Sequence, residues 1–434
     1  MLPLSSDQLD NVIKRLHIAD IKTATIRQIC TLAAELEKES GEKFTHLELG
    51  NPGLPASQIG IEAAIKALRD GVANQYPNIT GIPSIKEAGS RFIKAFLDVD
   101  IPPYCIVPTV GSMQGCYTLL TLLKQRIPGK NAMLMFYPGF PAQTHQAKVL
   151  GMKTVGLDIY DYRGAKLEKK LDEILSSGEF TGMLYSNPNN PAWTNFTQEE
   201  LEIIGRMATK YDVIVIEDLA YLGMDFRNDC SVPYEKPFIP SVAKYTDNYI
   251  MLISASKIFS YAGERIAIVA MSPEVYNRKY PVLEEFFEMP NFGEAYIYGI
   301  LYTASSGTSH SAQVAMAAML DKAADGELKF IKDTSEYGRR AGILKDLLLK
   351  NNFHIVYDKD GDEKISDGFF FTIGYKNMES VELQKELFRY GISSISLPST
   401  GSNQPGVRMC VSMISDKEAF EKFGQRLKMF DDEH

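Results

Sequence analysis

The chain has 434 residues, of which 45% are hydrophobic and 23% are charged, and its formal net charge is -9. This length is too great for one compact core and predicts two domains, and the acidic balance gives no electrostatic footprint for binding nucleic acid. The sequence contains no run of 18 or more apolar residues, so we expect no membrane span.

The cysteines and histidines give no sign of disulfides or metal sites. The five cysteines are dispersed without a C-x-x-C pair, and the six histidines lack metal-site spacing. The first ten residues, M-L-P-L-S-S-D-Q-L-D, lack the basic start and apolar core of a signal peptide. These features predict a cytoplasmic protein with reduced thiols and no bound metal.

The N-terminal part of the chain predicts three helices. Apolar residues at helical spacing favour helices over residues 5–36, 59–69 and from residue 84 onward. Ser6 is the expected cap of the first helix, and Ser84 is the expected cap of the third.

Two loops between these helices carry residues that could meet a ligand. T-H-L-E-L-G-N-P-G, residues 45–53, predicts a short strand that breaks into a glycine-proline loop, where Gly50 and Asn51 allow close approach of the backbone. Tyr76 lies in the loop before the third helix. Ordinary turns explain both loops equally well, so these residues carry weight only together with others.

Strands and helices alternate over the middle of the chain. Short apolar runs predict strands at residues 104–108, 132–136, 182–185, 213–216 and 249–253. Helices are predicted at residues 112–124 and 197–211. This alternation implies an α/β domain with a mostly parallel sheet, in which the carboxyl ends of the strands meet at one edge. Ligands of such sheets bind at that edge.

The first two strands lead into residues suited to a phosphate and a flat ring. Gly111, Ser112 and Met113 lie at the start of a predicted helix, where free N–H groups and the helix dipole favour a phosphate. Phe140 follows the second strand, and its ring can either fill the core or stack on a heterocycle.

The next two strands end in amide and acidic side chains. S-N-P-N-N-P-A places Asn190 beyond the third strand, and E-D-L-A-Y places Asp218 and Tyr221 at the end of the fourth. Asparagine and aspartate are also common turn and cap residues. Their position at the same edge as the phosphate-type loop favours a ligand site.

The fifth strand leads into I-S-A-S-K-I-F-S-Y-A-G-E-R, which contains Ser254, Ser256, Lys257 and Arg265. A lysine amine can form a Schiff base with a carbonyl, and an arginine with nearby hydroxyls can hold a phosphate. Pyridoxal 5'-phosphate (PLP) is both an aldehyde and a phosphate. A lone lysine after a strand is usually a solvated surface residue, but the convergence of all five loops favours a PLP site.

The remainder of the chain predicts a smaller α+β domain. Residues 311–350 have a helical pattern, and short strands and one helix are predicted at residues 353–357, 369–375, 380–390, 392–397 and 407–412. We expect a large PLP-binding domain at residues 46–329 and a small domain formed by residues 1–45 with 330–434.

Two segments in this remainder bear on the substrate. Residues 284–311 are rich in aromatic residues and glycine, which is typical of a loop-rich pocket wall or a subunit contact. Arg408 interrupts an apolar strand, either as a surface charge on an edge strand or as a bidentate clamp on a substrate carboxylate.

In their order and spacing, these motifs resemble the class I and II aminotransferases, which are PLP-dependent enzymes of fold type I. The resemblance extends from G-N-P-G at Gly50 to G-V-R-M at Gly406. Its most specific parts are S-x-S-K with an arginine eight residues later, E-D-x-A-Y and S-N-P-N-N-P. The resemblance implies transfer of an amino group between an amino acid and a 2-oxo acid by a homodimeric enzyme.

The resemblance also implies a role for the residues around the cofactor ring. Lys257 would hold PLP covalently and move the proton of the substrate Cα, and Asp218 would keep the pyridine nitrogen protonated. Asn190 and Tyr221 would bind the phenolic oxygen of the ring. Phe140 would stack on the ring face.

Phosphate and substrate contacts are implied in the same way. The residues around the cofactor phosphate would be Gly111, Ser112, Met113, Ser254, Ser256 and Arg265. Tyr76 would reach the phosphate of the neighbouring subunit across the dimer interface. Arg408 would bind the substrate α-carboxylate, and Gly50 and Asn51 would line the same pocket.

The sequence departs from the family pattern in places. The usual N-P-T-G is N-P-A-W here, with Trp193, the only tryptophan, in the glycine position. No second arginine for a side-chain carboxylate is evident, and Arg278 and Arg339 are open candidates. An apolar or aromatic substrate is favoured by an aromatic run that contains Phe287, Phe292, Tyr296 and Tyr298.

Two other functions remain open. A PLP-dependent C–S lyase or decarboxylase on the same fold would share these motifs, because the reaction depends on which bond at Cα lies perpendicular to the ring. A non-enzymatic PLP-binding regulator would need a DNA-binding module, and the segment before Gly50 is too short for one.

Overall fold

A seven-stranded β-sheet forms the centre of the computed structural model, which describes residues 2–434. Its strands are β1 (Ile106–Thr109), β2 (Ala132–Tyr137), β3 (Lys153–Asp158), β4 (Phe180–Ser186), β5 (Ile214–Asp218), β6 (Tyr249–Ser254) and β7 (Ala267–Met271). Their spatial order is β1-β7-β6-β5-β4-β2-β3, and neighbours are parallel except where β7 pairs with β1 and β6. The predicted α/β fold with a mostly parallel sheet is confirmed.

Alternate residues of the central strands pack into two separate cores. In β5, Ile214 and Ile216 belong to the core on one face, whereas Val215 belongs to the core on the other. This two-residue period explains why the strand reads as a continuous apolar run, since both of its faces are buried.

Helices cover both faces of the sheet. The longer ones are α1 (Ser6–Arg15), α2 (Ile26–Ser40), α3 (Gln58–Arg69), α4 (Pro83–Leu97), α5 (Gly111–Gln125), α6 (Pro141–Val149), α7 (Ala165–Leu175), α8 (Gln198–Tyr211), α9 (His310–Ala324), α10 (Glu336–Leu349), α11 (Ser380–Arg389) and α12 (Lys417–Glu433). Phe92 of α4 packs into one core and Leu119 of α5 into the other. The sheet is thus a middle layer, and its ends are left free for loops.

The five predicted strands of this sheet are confirmed within two residues at each end. β3 and β7 complete the sheet and lie outside the predicted set. β3 is an edge strand, and of its residues only Leu157 and Asp158 are buried. A strand with so little buried surface carries a weak apolar signal in the sequence.

The single helix predicted over residues 5–36 is wrong, because the chain forms α1 and α2 with a turn between them. Ser5, rather than the expected Ser6, caps α1, since Ser5 and Gln8 bond each other's backbone N–H groups. Thr25 and Gln28 form a second such capping box at the start of α2. Two start signals within one amphipathic pattern indicate two helices.

The third helix begins one residue before its expected cap. Ile82 occupies the N-cap position of α4, and Pro83 is the first helical residue. Ser84 therefore lies within the first turn and does not cap the helix. Proline suits this position because its missing N–H would have no partner there.

The aromatic segment at residues 284–311 is largely helical, so the expectation of a loop-rich segment is wrong. Its helical pieces are Pro281–Phe287, Phe292–Glu294, Ala295–Leu301 and Tyr302–Ser305, the third in the wider π form. Phe292 and Tyr296 are fully buried in the core that also contains Leu119 of α5.

A second, four-stranded sheet lies in the C-terminal part of the chain. Its strands are β8 (Phe353–Ile355), β9 (Phe370–Tyr375), β10 (Ile395–Ser396) and β11 (Val407–Cys410), in the antiparallel order β10-β11-β9-β8. The short strand Thr45–His46 pairs with Ile392–Ser393 and attaches the N-terminal segment to this part. The two sheets support the proposed large and small domains. Within residues 2–434, no helix combines the length and the apolar character needed to cross a membrane.

Candidate active site

A cavity of about 440 Å³ lies at the carboxyl ends of the central strands. It is lined by predicted site residues from seven separate stretches of the chain, namely Gly50, Asn51, Ser112, Met113, Phe140, Asn190, Asp218, Tyr221, Ser254, Ser256, Lys257, Arg265 and Arg408. The parallel strands bring these residues together because their carboxyl ends share one edge.

Lys257 enters the cavity just beyond β6. The strand ends at Ser254, whose side chain caps a one-turn helix, Ala255–Ile258, that carries the lysine. The Lys257 Nζ donates a hydrogen bond to the backbone oxygen of Gly50. Burial, with the nearby positive charges of Arg265 and Arg408, lowers the pKa of Lys257 to about 8. A neutral, nucleophilic amine is therefore accessible near physiological pH.

Asp218 is the last residue of β5 and is 5% exposed. Its carboxylate accepts hydrogen bonds from Gln143 Nε2 at 2.7 Å and from the backbone N–H of Ala220 at 3.2 Å. Burial raises the pKa of Asp218 to about 6, although both hydrogen bonds oppose this shift. A protonated ring nitrogen opposite this carboxylate would favour its ionised form.

Arg408 of β11 is buried, at 2% exposure, so it is not a surface charge on an edge strand. Its Nη2 donates to the backbone oxygen of Glu48, and its Cζ lies 4.7 Å from the centre of the Phe370 ring. Its Nε has no acceptor among the described residues. Burial lowers the pKa of Arg408. A buried guanidinium with a free donor is suited to a ligand carboxylate.

Asn190 and Tyr221 form a polar group between Arg408 and Asp218. Asn190 Nδ2 lies 3.5 Å from the Tyr221 hydroxyl, and Arg408 Nη1 donates to Asn190 Oδ1 at 3.4 Å. Both side chains are buried. These amide and hydroxyl groups could bind an oxygen substituent of a flat ligand.

The loops after β1 and β6 form a corner rich in hydrogen-bond donors. The hydroxyls of Ser254 and Ser256 lie 3.0 Å apart, and Arg265 Nη1 donates to Ser256 Oγ at 3.3 Å. A Cβ at Gly111, whose φ is +67°, would lie 2.3 Å from Arg265 Nη2. Gly111 is therefore needed for the arginine to approach the N-terminus of α5, and this corner fits a phosphate.

Trp193 supports the cavity from behind. It adopts a left-handed φ of 65°, and its backbone N–H donates to the backbone oxygen of Asn189 at 3.0 Å. Its ring packs edge-on against Tyr221 and Phe370, with centroids 5.5 and 6.2 Å apart. The turn that normally carries glycine is therefore kept, and the indole buttresses two rings of the cavity wall.

Several lining residues are absent from the sequence-based set. They are Ile26, Arg27, Leu49, Ser186, Ala220, Ala262 and Phe370. Gln143, which lies on α6 beside Asp218, was also missed. A glutamine or an exposed arginine on an amphipathic helix is typical of a solvated face, so the sequence offered no signal for Gln143 or Arg27.

The candidates for a second substrate-binding arginine lie elsewhere. Arg278 donates to Asp212 at 3.0 Å and to Asn248 at 2.6 Å, and Arg339 pairs with Glu336. Neither arginine lines the cavity.

The aromatic run does not line the cavity either. Phe292 and Tyr296 are buried in a core, and Phe287 packs against that core. These residues therefore form no wall of the cavity within this chain and give no support there for an apolar or aromatic substrate, while the alternative of a subunit contact stays a prediction.

Tyr76 is 95% exposed and lies outside the cavity. Its expected contact with a neighbouring subunit stays a prediction.

Comparison with known proteins agrees with this geometry. The profile of the family described as "Aminotransferase class I and II" matches residues 42–422. Relatives include an asparagine–oxo-acid transaminase of Streptococcus mutans, 24% identical over 56% of this chain and 60% of the relative. An aspartate aminotransferase of Pyrococcus horikoshii is 27% identical over 59% of this chain and 61% of the relative. The chain thus spans about 60% of the length of these relatives.

Solved structures share the fold over nearly the whole chain. Aspartate aminotransferase from Thermus thermophilus with maleate has a TM-score of 0.74 and 17% identity, covering 96% of this chain and 98% of that one. Alanine aminotransferase from Pyrococcus furiosus has a TM-score of 0.74 and 20% identity, covering 96% and 99%. These similarities show the fold.

Proposed function

The chain belongs to the class I and II aminotransferase family, and from this premise we propose that it is a PLP-dependent aminotransferase acting on an amino acid and a 2-oxo acid. One observation carries the proposal. Lys257, Asp218, Arg265 and Arg408 are far apart in the sequence and meet in a single cavity. Together they offer a nucleophilic amine, a carboxylate for a ring nitrogen, a phosphate site and a carboxylate site.

The donor set fits PLP on structural grounds. The corner around Arg265 and Gly111 offers a guanidinium, two hydroxyls and a helix N-terminus to the phosphate. Ser254 and Ser256 would supply the two hydroxyls, and Ser112 and Met113 line the same corner at the start of α5. Bound there, PLP would supply the electron sink for the bonds at the substrate Cα.

Asp218 holds its charge opposite the pyridine nitrogen in this proposal. Its raised pKa shows that burial disfavours the ionised carboxylate, so a cation beside it would be stabilised by this carboxylate and would favour its ionised form. Gln143 fixes the carboxylate through the 2.7 Å hydrogen bond from its Nε2. Asn190 and Tyr221 would bind the oxygen substituent of the ring, and Phe140, which also lines the cavity, would pack against the ring.

Lys257 performs the proton transfer. Its amine lies at the end of a flexible side chain beside Gly50, and its lowered pKa leaves a substantial neutral fraction at pH 7 to 8. A neutral amine can accept the proton of the substrate Cα and return it to another carbon. A permanently charged ammonium could not accept it.

Arg408 orients the substrate. Its free Nε donor would bind the α-carboxylate, while its bond to Glu48 and its packing on Phe370 hold the guanidinium in place. Gly50 and Asn51 lie in the adjoining loop and line the same space. The fixed carboxylate then sets which Cα bond faces Lys257.

We extend the proposal to a homodimer in which Tyr76 reaches the neighbouring phosphate site. This extension is supported by the 95% exposure of Tyr76, which does not line the cavity of its own chain. Size measurement in solution tests the dimer, and Tyr76→Phe should weaken PLP binding in the dimer only. An unchanged PLP affinity would remove Tyr76 from the site. The cytoplasmic location expected from the dispersed cysteines stays a prediction.

The experiment for the main proposal is an absorption titration of the purified holoprotein with a panel of amino acids. We expect the cofactor band to shift with some amino acids, to return on adding 2-oxo acids, and to release no ammonia. Accumulation of ammonia with an unchanged band would indicate a lyase, and carbon dioxide release would indicate a decarboxylase. Absence of any cofactor band after addition of PLP would remove the cofactor.

A further inference from the structure

Residues 45–48 connect Arg408 to a group of charged side chains outside the catalytic cavity. The backbone oxygen of Glu48 accepts a hydrogen bond from Arg408 Nη2, and the backbone oxygen of Leu47 accepts one from the N–H of Cys410 at 2.8 Å. Both bonds attach this segment to β11, the strand that carries Arg408. The position of the guanidinium therefore depends on the position of residues 45–48.

The side chain of Glu48 is buried, at 1% exposure, and has no part in the proposed chemistry. Its carboxylate accepts a hydrogen bond from Ser393 Oγ and lies 2.9 Å from His46 Nδ1. Burial alone would raise the pKa of Glu48, but the hydrogen bonds from His46 and Ser393 outweigh it, so that pKa is lowered. The ionised carboxylate is thus stabilised in place by these two donors.

His46 lies between two carboxylates. Its Nδ1 faces Glu48, and its Nε2 lies 3.2 Å from Glu37 Oε1 on α2. A neutral imidazole has a single N–H and can donate to one carboxylate only, whereas an imidazolium donates to both. The hydrogen bond with Glu48 and the charges of both carboxylates raise the pKa of His46 above its ordinary value of 6.5, against the effect of burial. This geometry favours the protonated imidazole.

His46 can exchange its proton with solvent. Its side chain is 36% exposed, and it lines a cavity of about 590 Å³ that shares only Leu49 with the catalytic one. The other charged or titratable groups around His46 and its two carboxylates are Cys30, Glu42, Lys43, Arg408, Asp416, Glu418, Lys422 and Arg426. Within residues 2–434, Glu37 and Glu48 are the hydrogen-bond partners of the imidazole. Burial and the charge of Glu48 raise the pKa of Cys30 to about 11, so this thiol stays neutral below that pH.

The charge of Glu48 acts on Arg408 as well as on His46. While the imidazole is protonated, it offsets the negative charge of Glu48, and the guanidinium keeps its attraction for a ligand carboxylate. When the imidazole is neutral, the charge of Glu48 is offset mainly by Arg408, and the attraction for a ligand weakens. Loss of one imidazole donor also loosens the segment whose backbone oxygen holds the guanidinium.

We propose that His46 is a positioning residue for Arg408, and that loss of its proton weakens the binding of the substrate α-carboxylate. The inference rests on the proposed function, since it takes Arg408 as the site for that carboxylate. His46 acts through Glu48 and touches neither substrate nor cofactor. Its effect is largest at low pH, where the imidazole is charged, and disappears as pH rises through its raised pKa.

The test measures carboxylate binding without turnover. Pentanoate is titrated calorimetrically into the wild-type and His46→Gln holoproteins between about pH 6 and pH 9, a range well above the ordinary pKa of a carboxyl group. We expect the dissociation constant of the variant to exceed that of wild type by about fivefold or more at the lowest pH, the lower end for coupling between two sites. At the highest pH the two constants should be equal.

The ratio of the two constants separates this role from a purely structural one. Other titrating groups, Lys257 among them, are present in both proteins and cancel in the ratio. A ratio that is the same at every pH would contradict the proposal, because the protonation state of His46 would then not matter. With an amino acid that converts the cofactor, the His46→Gln defect at low pH should appear in KM rather than in kcat.

His434→Gln is the matched control. His434 also faces a carboxylate, with its Nε2 at 3.4 Å from Glu386 Oε2, and it lies outside the catalytic cavity. The dissociation constant of pentanoate for this variant should equal that of wild type at each pH. An equal loss of affinity in His434→Gln and His46→Gln would reduce the effect to general charge and contradict the proposal.

Glu37→Gln tests the second carboxylate beside His46. This variant removes one of the two charges that stabilise the imidazolium, so the pH at which pentanoate affinity falls should shift down by about 1 unit. Glu37 does not line the catalytic cavity, and a direct effect on the ligand is not expected. A transition at the wild-type pH would show that His46 is not the group that titrates.

Failure of this inference can be told apart from failure of the proposed function. If amino acids convert the cofactor but the pentanoate ratio does not vary with pH, the role of His46 is wrong and the transaminase remains. If pentanoate binds equally to wild type and Arg408→Lys, the carboxylate site of the proposed function fails first. If no amino acid converts the cofactor, the proposed reaction fails whatever the pentanoate ratio shows.

Discussion

Two regions of the molecule bury charged side chains and organise them in opposite ways. In the catalytic cavity, Asp218, Lys257 and Arg408 are bonded to neutral groups, namely an amide side chain and backbone oxygens. At the start of α8, Arg163 and Glu200 are bonded to each other through two contacts of 2.7 and 2.8 Å.

The electrostatic consequences differ accordingly. Burial alone would raise the pKa of Glu200, but hydrogen bonds and charge from Arg163 outweigh it, so that pKa is lowered. In the cavity, burial raises the pKa of Asp218 to about 6 and lowers that of Lys257 to about 8. The paired carboxylate of Glu200 thus favours its ionised form, whereas burial disfavours the ionised forms of Asp218 and Lys257, and shifts of the latter kind are common at functional sites.

The largest effect should come from Lys257→Ala, which removes the amine that moves the proton. We expect kcat/KM for transamination to fall by at least about 10⁴-fold, the upper range for loss of a general acid–base group. The free energy of unfolding should change little by comparison, because no buried ion pair is broken. Retention of more than a tenth of the activity would mean that another residue serves as the base.

Asp218→Asn should separate activity from stability. We expect activity to fall by about 10²- to 10³-fold, as for loss of one preorganised electrostatic contact. The raised pKa of Asp218 means that its contribution to stability is present below its ordinary value of 3.8 and is lost as pH rises through about 6. Above that pH, the asparagine apoprotein should be more stable than wild type by about 1–2 kcal/mol in urea unfolding.

Glu217→Gln is the control for this variant. Glu217 neighbours Asp218 and its pKa is also raised, to about 7, but its partners are Tyr185 and Ser241. The glutamine variant should keep the cofactor spectrum and most of the activity. If it loses the cofactor as Asp218→Asn does, the role given to Asp218 is not specific.

Arg408→Lys should act on the substrate alone. The lysine keeps the charge and loses the bidentate fork, so KM should rise by about 10- to 100-fold while the cofactor spectrum persists. Arg278→Lys, at an arginine outside the cavity, should leave KM unchanged. A colourless Arg408→Lys protein would place Arg408 on the cofactor instead.

Glu200→Gln should lower stability rather than activity. Among these variants it should have the smallest effect on catalysis. It removes the closest carboxylate partner of the half-buried Arg163, which keeps Asp360 at 3.4 Å, so the free energy of unfolding should fall by about 2 kcal/mol while kcat/KM changes less than about threefold. Glu202→Gln, on an exposed pair with Arg206, should cost about 0.5 kcal/mol. Equal losses from both variants would show that burial of the Arg163–Glu200 pair is unimportant.

The comparison also explains which site residues can be predicted from sequence. Asp218 ends a buried strand, and Lys257 follows another by three residues, so a polar side chain after an apolar run marks the sheet edge. Arg408 is recognisable as a charge within an apolar strand. The positions of Asp218 and Lys257 follow from the polarity of the parallel strands, whereas Arg408 belongs to the antiparallel sheet.

Residues that reach the cavity from the side cannot be predicted in this way. Gln143 and Arg27 lie on helices whose polar faces resemble solvated surface, and only tertiary packing brings them to the cavity. Phe292 and Tyr296 illustrate a second limit. Their aromatic side chains predict burial, but the sequence does not indicate which face of the sheet they pack against. The division of residues 5–36 into two helices depends on cap pairs that compete with a continuous apolar pattern.

The most direct test of the central claim is to locate the bond between the protein and PLP. The holoprotein is reduced with borohydride, digested, and its peptides are mapped by mass for a pyridoxyl group. We predict that the group lies on Lys257 and not on Lys86, whose pKa is also lowered to about 8 by burial but which lies outside the cavity. A pyridoxyl group on Lys86 or on any other lysine would contradict the account of this site.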